Sequence, residues 1–113
     1  MAIKGVWNSE IAGPYGWEPV GVLFLKKGHV HGGGAHHYTE GRYRKQKDGS
    51  IRFEVEIHQF GKKRPLFGRE REHFPMVAHL EPRGDFLQGE AHIPGRRDHR
   101  IQVRYRRVGK YPD

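Results

Sequence analysis

Apolar and polar residues alternate with a period of two along most of this chain, and that period constrains the fold more than any other feature. In the segment 51–57, isoleucine, phenylalanine and valine alternate with arginine and glutamate. The same alternation runs through 3–10, 74–80, 87–93 and 100–106. Successive side chains of a β-strand point to opposite faces, so this period is typical of strands with one buried face. No segment carries a helical apolar stripe for three turns, and we predict an all-β chain.

Turn signals separate these runs. The segments KKGH at 26–29, KDGS at 47–50 and PRGD at 82–85 each place glycine or Asp-Gly where a hairpin needs positive φ. About eight short strands joined in this way form an antiparallel meander. Such a meander removes its edges by closing into a barrel or by folding into two packed sheets, and we expect the barrel.

Glycine recurs within the predicted strands at Gly5, Gly41 and Gly89, each two residues before an aromatic or small side chain. Interior glycines let a small barrel bend and taper, and glycines in strands also mark bulges. The sequence leaves both readings open.

At 113 residues the chain is long enough for one domain, 1–113, with one modest core. It has no run of eighteen apolar residues, and the N-terminal MAIKGVW lacks the apolar stretch of a signal peptide. Cysteine is absent, which excludes disulfides and thiolate chemistry. We therefore expect a soluble, cytoplasmic protein without membrane insertion.

The chain is basic, with 21 Lys plus Arg against 13 Asp plus Glu and a formal net charge of +8. Much of the excess lies in GRRDHRIQVRYRRVGK at 95–110, where alternation gives an apolar face and an arginine face. That face is either simply solvated or a nucleic-acid surface that binds RNA or single-stranded DNA. The candidate contacts for the second reading are Lys62, Lys63, Arg64, Arg100, Arg104 and Arg106.

The segment 59–72 shows no strand period, and fourteen residues are a long loop for a compact domain. Its Phe60, Leu66 and Phe67 suit a lid over one mouth of the barrel, or a plug that fills that mouth. One short turn of helix within 65–74 is also compatible with the sequence.

Four histidines and three glycines crowd into HVHGGGAHHY at 29–38. His29 and His31 share a strand face and are weak candidates for metal ligands, because a structural zinc site needs four ligands and carboxylates are scarce nearby. A phosphate cradle would need a helix after the glycines, which is missing here. No serine lies in a nucleophile elbow, and no carboxylate pair is distinguished as an acid and a base. We expect neither a cofactor nor an enzyme.

The order of these segments resembles the GrlR family of type III secretion regulators. The resemblance is carried by GVW at 5–7, EPVGVLFLKKGHVHGGG at 18–34, YTEGRYR at 38–44, FEVEIHQF at 53–60 and PLFG at 65–68. It runs from about residue 5 to residue 108. It implies a lipocalin-like (calycin-like) antiparallel barrel that forms a homodimer, acts as a negative regulator by protein contact, and holds a small apolar or lipid-like ligand.

The resemblance also marks a departure. The family's type member holds its activator partner through an acidic hairpin, whereas the corresponding KQKDGS at 45–50 is basic. That contact is not carried over, and the regulatory partner stays unknown.

If the barrel holds an apolar ligand, alternation leads us to expect cavity residues on the apolar strand faces; these side chains could equally fill the barrel. The candidates are Trp7, Phe24, Tyr43, Phe53, Val55, Met76 and Tyr105.

Overall fold

A computed structural model describes residues 3–60 and 73–112, with the side chains of 97–99 left aside. Every regular element in these ranges is a strand, and none is a helix of the length and hydropathy needed to cross a membrane. Phe60 of the expected lid is 64% exposed and does not fold inward, and His73 and Phe74 of the expected helical turn begin a strand. The segment 61–72, with the rest of both predictions, lies outside the described residues. The strands are β1 (Gly5–Gly13), β2 (Gly16–Lys26), β3 (His29–Gly33), β4 (His37–Lys45), β5 (Ile51–Gln59), β6 (His73–Arg83), β7 (Phe86–Ile93) and β8 (Arg96–Gly109).

The eight strands form a closed barrel in which each strand pairs antiparallel with its neighbours in the chain. Closure comes from β1 and β8, whose register places Ser9 opposite Tyr105. The predicted all-β barrel is therefore confirmed, and its architecture is consistent with a lipocalin-like fold. Every strand pairs with a neighbour on both sides, although β3 pairs with β2 only over 22–26 and leaves residues 16–21 of β2 without a strand partner on that side.

The three predicted hairpin turns connect β2 to β3, β4 to β5 and β6 to β7, and they all lie at one end of the barrel. The turns from β1 to β2, β3 to β4 and β7 to β8 lie at the other. We call the first end the packed end, because large side chains fill it, and the second the open end, because a cavity lies there.

The packed end is filled by large apolar side chains. Trp7 is fully buried, and its indole Nε1 donates a hydrogen bond to the carbonyl oxygen of Ile3 at 2.9 Å. Ile3 itself is buried, so this residue, which precedes β1, helps to fill the interior at this end. The largest side chains without solvent exposure are Trp7, Phe53, Leu25, Ile51, Leu80 and Leu87.

Glycines inside the strands mark places where neighbouring backbones approach too closely for a side chain. A Cβ at Gly41 would lie 2.2 Å from the carbonyl oxygen of Glu54, and a Cβ at Gly32 would lie 2.0 Å from that of Val22. No register shift interrupts β4 at Gly41, so this glycine permits close strand approach rather than a bulge. The same crowding explains the three consecutive glycines at the β3–β4 turn without any bound ligand.

We predict that Gly41→Ala lowers the free energy of unfolding by about 1–3 kcal/mol, because the new methyl group has no space and forces β4 and β5 apart. Denaturant unfolding followed by far-ultraviolet circular dichroism measures this. Gly109→Ala is the control, because no atom lies within 4 Å of a Cβ there, and its cost stays within about 0.5 kcal/mol. Equal free energies of unfolding for the two variants would contradict the role of Gly41 in the close approach of β4 and β5.

Candidate ligand-binding site

The open end of the barrel contains a partly enclosed cavity of about 30 Å³. A single water molecule needs about 10–15 Å³ measured in this way, so the cavity holds two or three water-sized groups. A whole lipid does not fit inside it. The end of an aliphatic chain does.

Most of the cavity wall is apolar. The cavity begins where the large side chains of the packed end stop, and residues from seven strands line it. The apolar side chains in the wall are Ile11, Val20, Val22, Leu23, Val30, Val55, Ile57, Met76, Ile101 and Val103.

Four polar residues also line the cavity: Ser9, His37, Thr39 and Tyr105. Of these four, Thr39 and Tyr105 are buried. Burial raises the pKa of the Tyr105 hydroxyl, which therefore stays protonated as a hydrogen-bonding group. Burial and the neighbouring His36 lower the pKa of His37, so its imidazole is neutral near pH 7. The cavity thus combines an apolar wall with uncharged hydrogen-bonding groups, as small-molecule sites commonly do.

The seven predicted cavity residues fall into three groups. Val55, Met76 and Tyr105 line the cavity. Trp7 and Phe53 fill the packed end. For these two residues the alternative prediction, that the side chains fill the barrel, describes the structure. Tyr43 packs against the same core with its ring centroid 5.8 Å from that of Phe53. Tyr105 meets Phe53 edge to face at 5.2 Å, so it lies at the boundary between the filled and hollow parts.

Phe24 is a correction, because it lies on the outer face of the barrel. On β2 the inward positions belong to Leu23 and Leu25, and alternation turns Phe24 outward. Its ring stacks on His31 at 5.4 Å and meets Tyr111 edge to face at 6.2 Å. The residues that follow β8 thus cover this part of β2, which explains why its sequence is apolar on both faces.

The histidine-rich stretch is divided between the two faces of the sheet. His29 and His31 are exposed on the outer face of β3, as their spacing predicts. No group of three histidine, cysteine, aspartate or glutamate side chains within 3–60 and 73–112 could hold a metal ion. His37 instead lines the cavity at the open end of the barrel.

The arginines proposed as nucleic-acid contacts are not all available for that purpose. Arg104 lies 3.1 Å from the carboxylate of Glu10, and its guanidinium is stacked between Trp17 and Phe86 at 4.5 and 4.9 Å. Arg100 forms an ion pair with Glu90. Arg106 is exposed, and Lys62, Lys63 and Arg64 lie outside the described residues. The C-terminal strand therefore uses two of its arginines to join neighbouring strands.

Several cavity residues were missed by the sequence analysis although the alternation contained them. Ile57 shares a strand face with Val55, and Val103 shares one with Tyr105. Thr39 precedes Gly41 by two residues and points inward with it. The signal for these three was present, but our preference for large apolar and aromatic side chains passed over it.

The described residues define a small closed antiparallel barrel with one packed end and one hollow end. No protein-family model matches the chain, and no match was found among curated proteins.

The lowered pKa of His37 predicts a pH effect on stability. As the pH falls below the ordinary histidine value of 6.5, the unfolded chain takes up the proton before the folded protein does. Stability is therefore lost on acidification from pH 7.5 to 5.5, and His37→Gln makes this loss smaller. Burial likewise lowers the pKa of His92, so part of the loss remains in the variant.

Thermal unfolding at several pH values between these limits measures the effect. His29→Gln on the exposed outer face is the matched control. An identical pH profile for His37→Gln and the wild-type protein would refute the role of His37.

Proposed function

We propose that this protein is a non-catalytic, cytoplasmic regulatory module that binds a small apolar ligand in the open end of its barrel and acts on a partner protein by contact. The observation that carries the ligand-binding part is the division of the interior. One half is filled by large side chains, while the other retains an apolar cavity with a few uncharged polar groups. Larger side chains at the open end would have filled the barrel and stabilised it, but they would have left no space for a ligand.

The size of the cavity restricts the ligand. An aliphatic chain places two or three carbons among residues such as Met76 and Val103, and the remainder extends through the mouth past His37. A hydroxyl or neutral carboxyl group suits the uncharged Thr39 and His37 better than a cation does. We therefore propose a short-chain amphiphile with an uncharged head as the ligand class.

The regulatory part rests on the resemblance to GrlR-like barrels, and so does the homodimer. Barrel closure leaves little free strand edge, so we propose that a dimer or partner contact uses mainly side-chain faces. Two exposed aromatic rings near the open end suit this purpose: Tyr38 and Phe60 are 46% and 64% exposed, and their centroids are 6.5 Å apart. Exposed aromatics are enriched in protein interfaces.

Binding of linear 1-alkanols from methanol to hexanol tests the ligand class. Each added methylene strengthens binding about fourfold while it enters the apolar cavity, which corresponds to roughly 0.8 kcal/mol. The gain levels off once further carbons remain in the mouth. Ligand-observed NMR titration measures the affinities, and native mass spectrometry of untagged protein reports subunit number and any retained small molecule.

Val103→Phe places a phenyl ring in the cavity, and we predict that it weakens alkanol binding at least tenfold. Val108→Phe is the matched control, because it makes the same change on the same strand at a side chain that is 52% exposed. Equal binding by both variants, or affinity independent of chain length, would show that the cavity is not the site.

A further inference from the structure

Five basic side chains form a cluster at the packed end of the barrel, on the side opposite the cavity mouth. Arg42 and Arg44 project outward from β4, Lys45 and Lys47 continue into the β4–β5 turn, and Lys27 lies in the adjacent β2–β3 turn. The two turns are joined to one another through β4, because Tyr43 N donates a hydrogen bond to the Gly28 carbonyl oxygen at 2.9 Å. All five side chains are exposed, and we call them the basic cluster.

No ion pair within the described ranges neutralises the basic cluster. Asp48 lies in the β4–β5 turn, but its carboxylate accepts hydrogen bonds from the backbone N and the hydroxyl of Ser50, at 2.9 and 2.6 Å. Those bonds lower the pKa of Asp48 and fix its charge within the turn. The carboxylate of Glu54, which lies opposite Arg42 in the strand register, is held by Arg52 at 2.6 Å, and Arg44 also helps to lower its pKa. One carboxylate therefore lies beside the basic cluster, and its principal partner is Arg52.

Two features of the basic cluster are unfavourable for the folded protein. Arg44 lies directly opposite Arg52 in the β4–β5 register, and like charges in that position destabilise a sheet. Lys27 has φ of 47° in a two-residue turn where asparagine or glycine is preferred. A bound polyanion would relieve the first of these two costs.

The surroundings of the basic cluster decide which polyanion fits. Tyr43, the tyrosine of this stretch, packs inward on Phe53, and no phenylalanine, tyrosine or tryptophan within 26–29 or 42–53 is exposed. Protein interfaces need apolar or aromatic anchors, and single-stranded nucleic acids need rings on which bases stack. Duplex phosphates need only cations, because release of counterions provides the affinity.

We propose that the basic cluster binds the phosphate backbone of duplex nucleic acid without reading its sequence. The arginine forks and lysine ammonium groups contact phosphates across one side of the packed end, and the cavity at the other end stays accessible. This inference is independent of the proposed ligand, because the two sites share no residue.

Fluorescence anisotropy with a labelled mixed-sequence 20-base-pair duplex tests the proposal. For five phosphate contacts, the logarithm of the association constant falls with the logarithm of salt concentration with a slope of about −4.5. Arg44→Glu/Lys47→Glu weakens binding at least tenfold and reduces that slope by about two. The control, Arg83→Glu/Arg96→Glu, makes the same change in net charge on β6 and β8 and alters binding less than threefold.

Lys27→Asn separates binding from folding. Asparagine suits positive φ better than lysine does, so the melting temperature is maintained or raised while the salt slope falls by about one. The proposal is overturned if the duplex does not bind, if a single-stranded 20-mer binds more tightly, or if poly-glutamate competes as well as duplex. Loss of duplex binding in variants that still bind alkanols would leave the proposed cavity function intact.

Discussion

Closure of eight strands into a barrel fixes the volume of the interior before any particular side chain is placed in it. An eight-stranded barrel is just wide enough for its own side chains to fill. What remains empty is therefore decided by the size of the inward residues alone. At the packed end these are tryptophan, phenylalanine, leucine and isoleucine, whereas Ser9, Gly21, Gly33 and Thr39 occupy inward-facing positions around the cavity. The cavity therefore results from small inward-facing residues at the open end, because the barrel has the same number of strands at both ends.

Much of the fold could be predicted from the sequence, because each strand carries its own period of two and each hairpin its own turn residues. Segments such as 51–57 specify which side chains point inward without knowledge of the rest of the chain. The strand β2 was different. Leu23, Phe24 and Leu25 are all apolar, and the orientation of Phe24 depends on Tyr111, which lies far away in sequence and covers the outer face. A pattern within one segment cannot contain that information.

The cavity was harder to predict than the strands for a related reason. Its wall is assembled across strands by hydrogen-bonding register, which places Thr39 of β4 beside Ile57 of β5. The availability of charged side chains was hard to predict for the same reason, because it also depends on contacts between strands. Arg104 belongs to the most conspicuous basic segment of the sequence, yet cross-strand contacts with Glu10 and two aromatic rings occupy it. The shorter KQKDGS segment attracts less attention in the sequence, but its turn keeps Asp48 engaged with Ser50 and leaves the lysines exposed.

The pairing of β1 with β8 has a consequence for how the chain folds. The ion pair between Glu10 and Arg104 joins residues 94 positions apart, and the backbone pairing along this seam spans similar separations. The other seven seams connect strands that are consecutive in sequence, so they can form while the intervening chain is short. Closing the last seam requires the largest loss of chain entropy. The meander can therefore assemble hairpin by hairpin, while completion of the barrel sets a slow and cooperative final step.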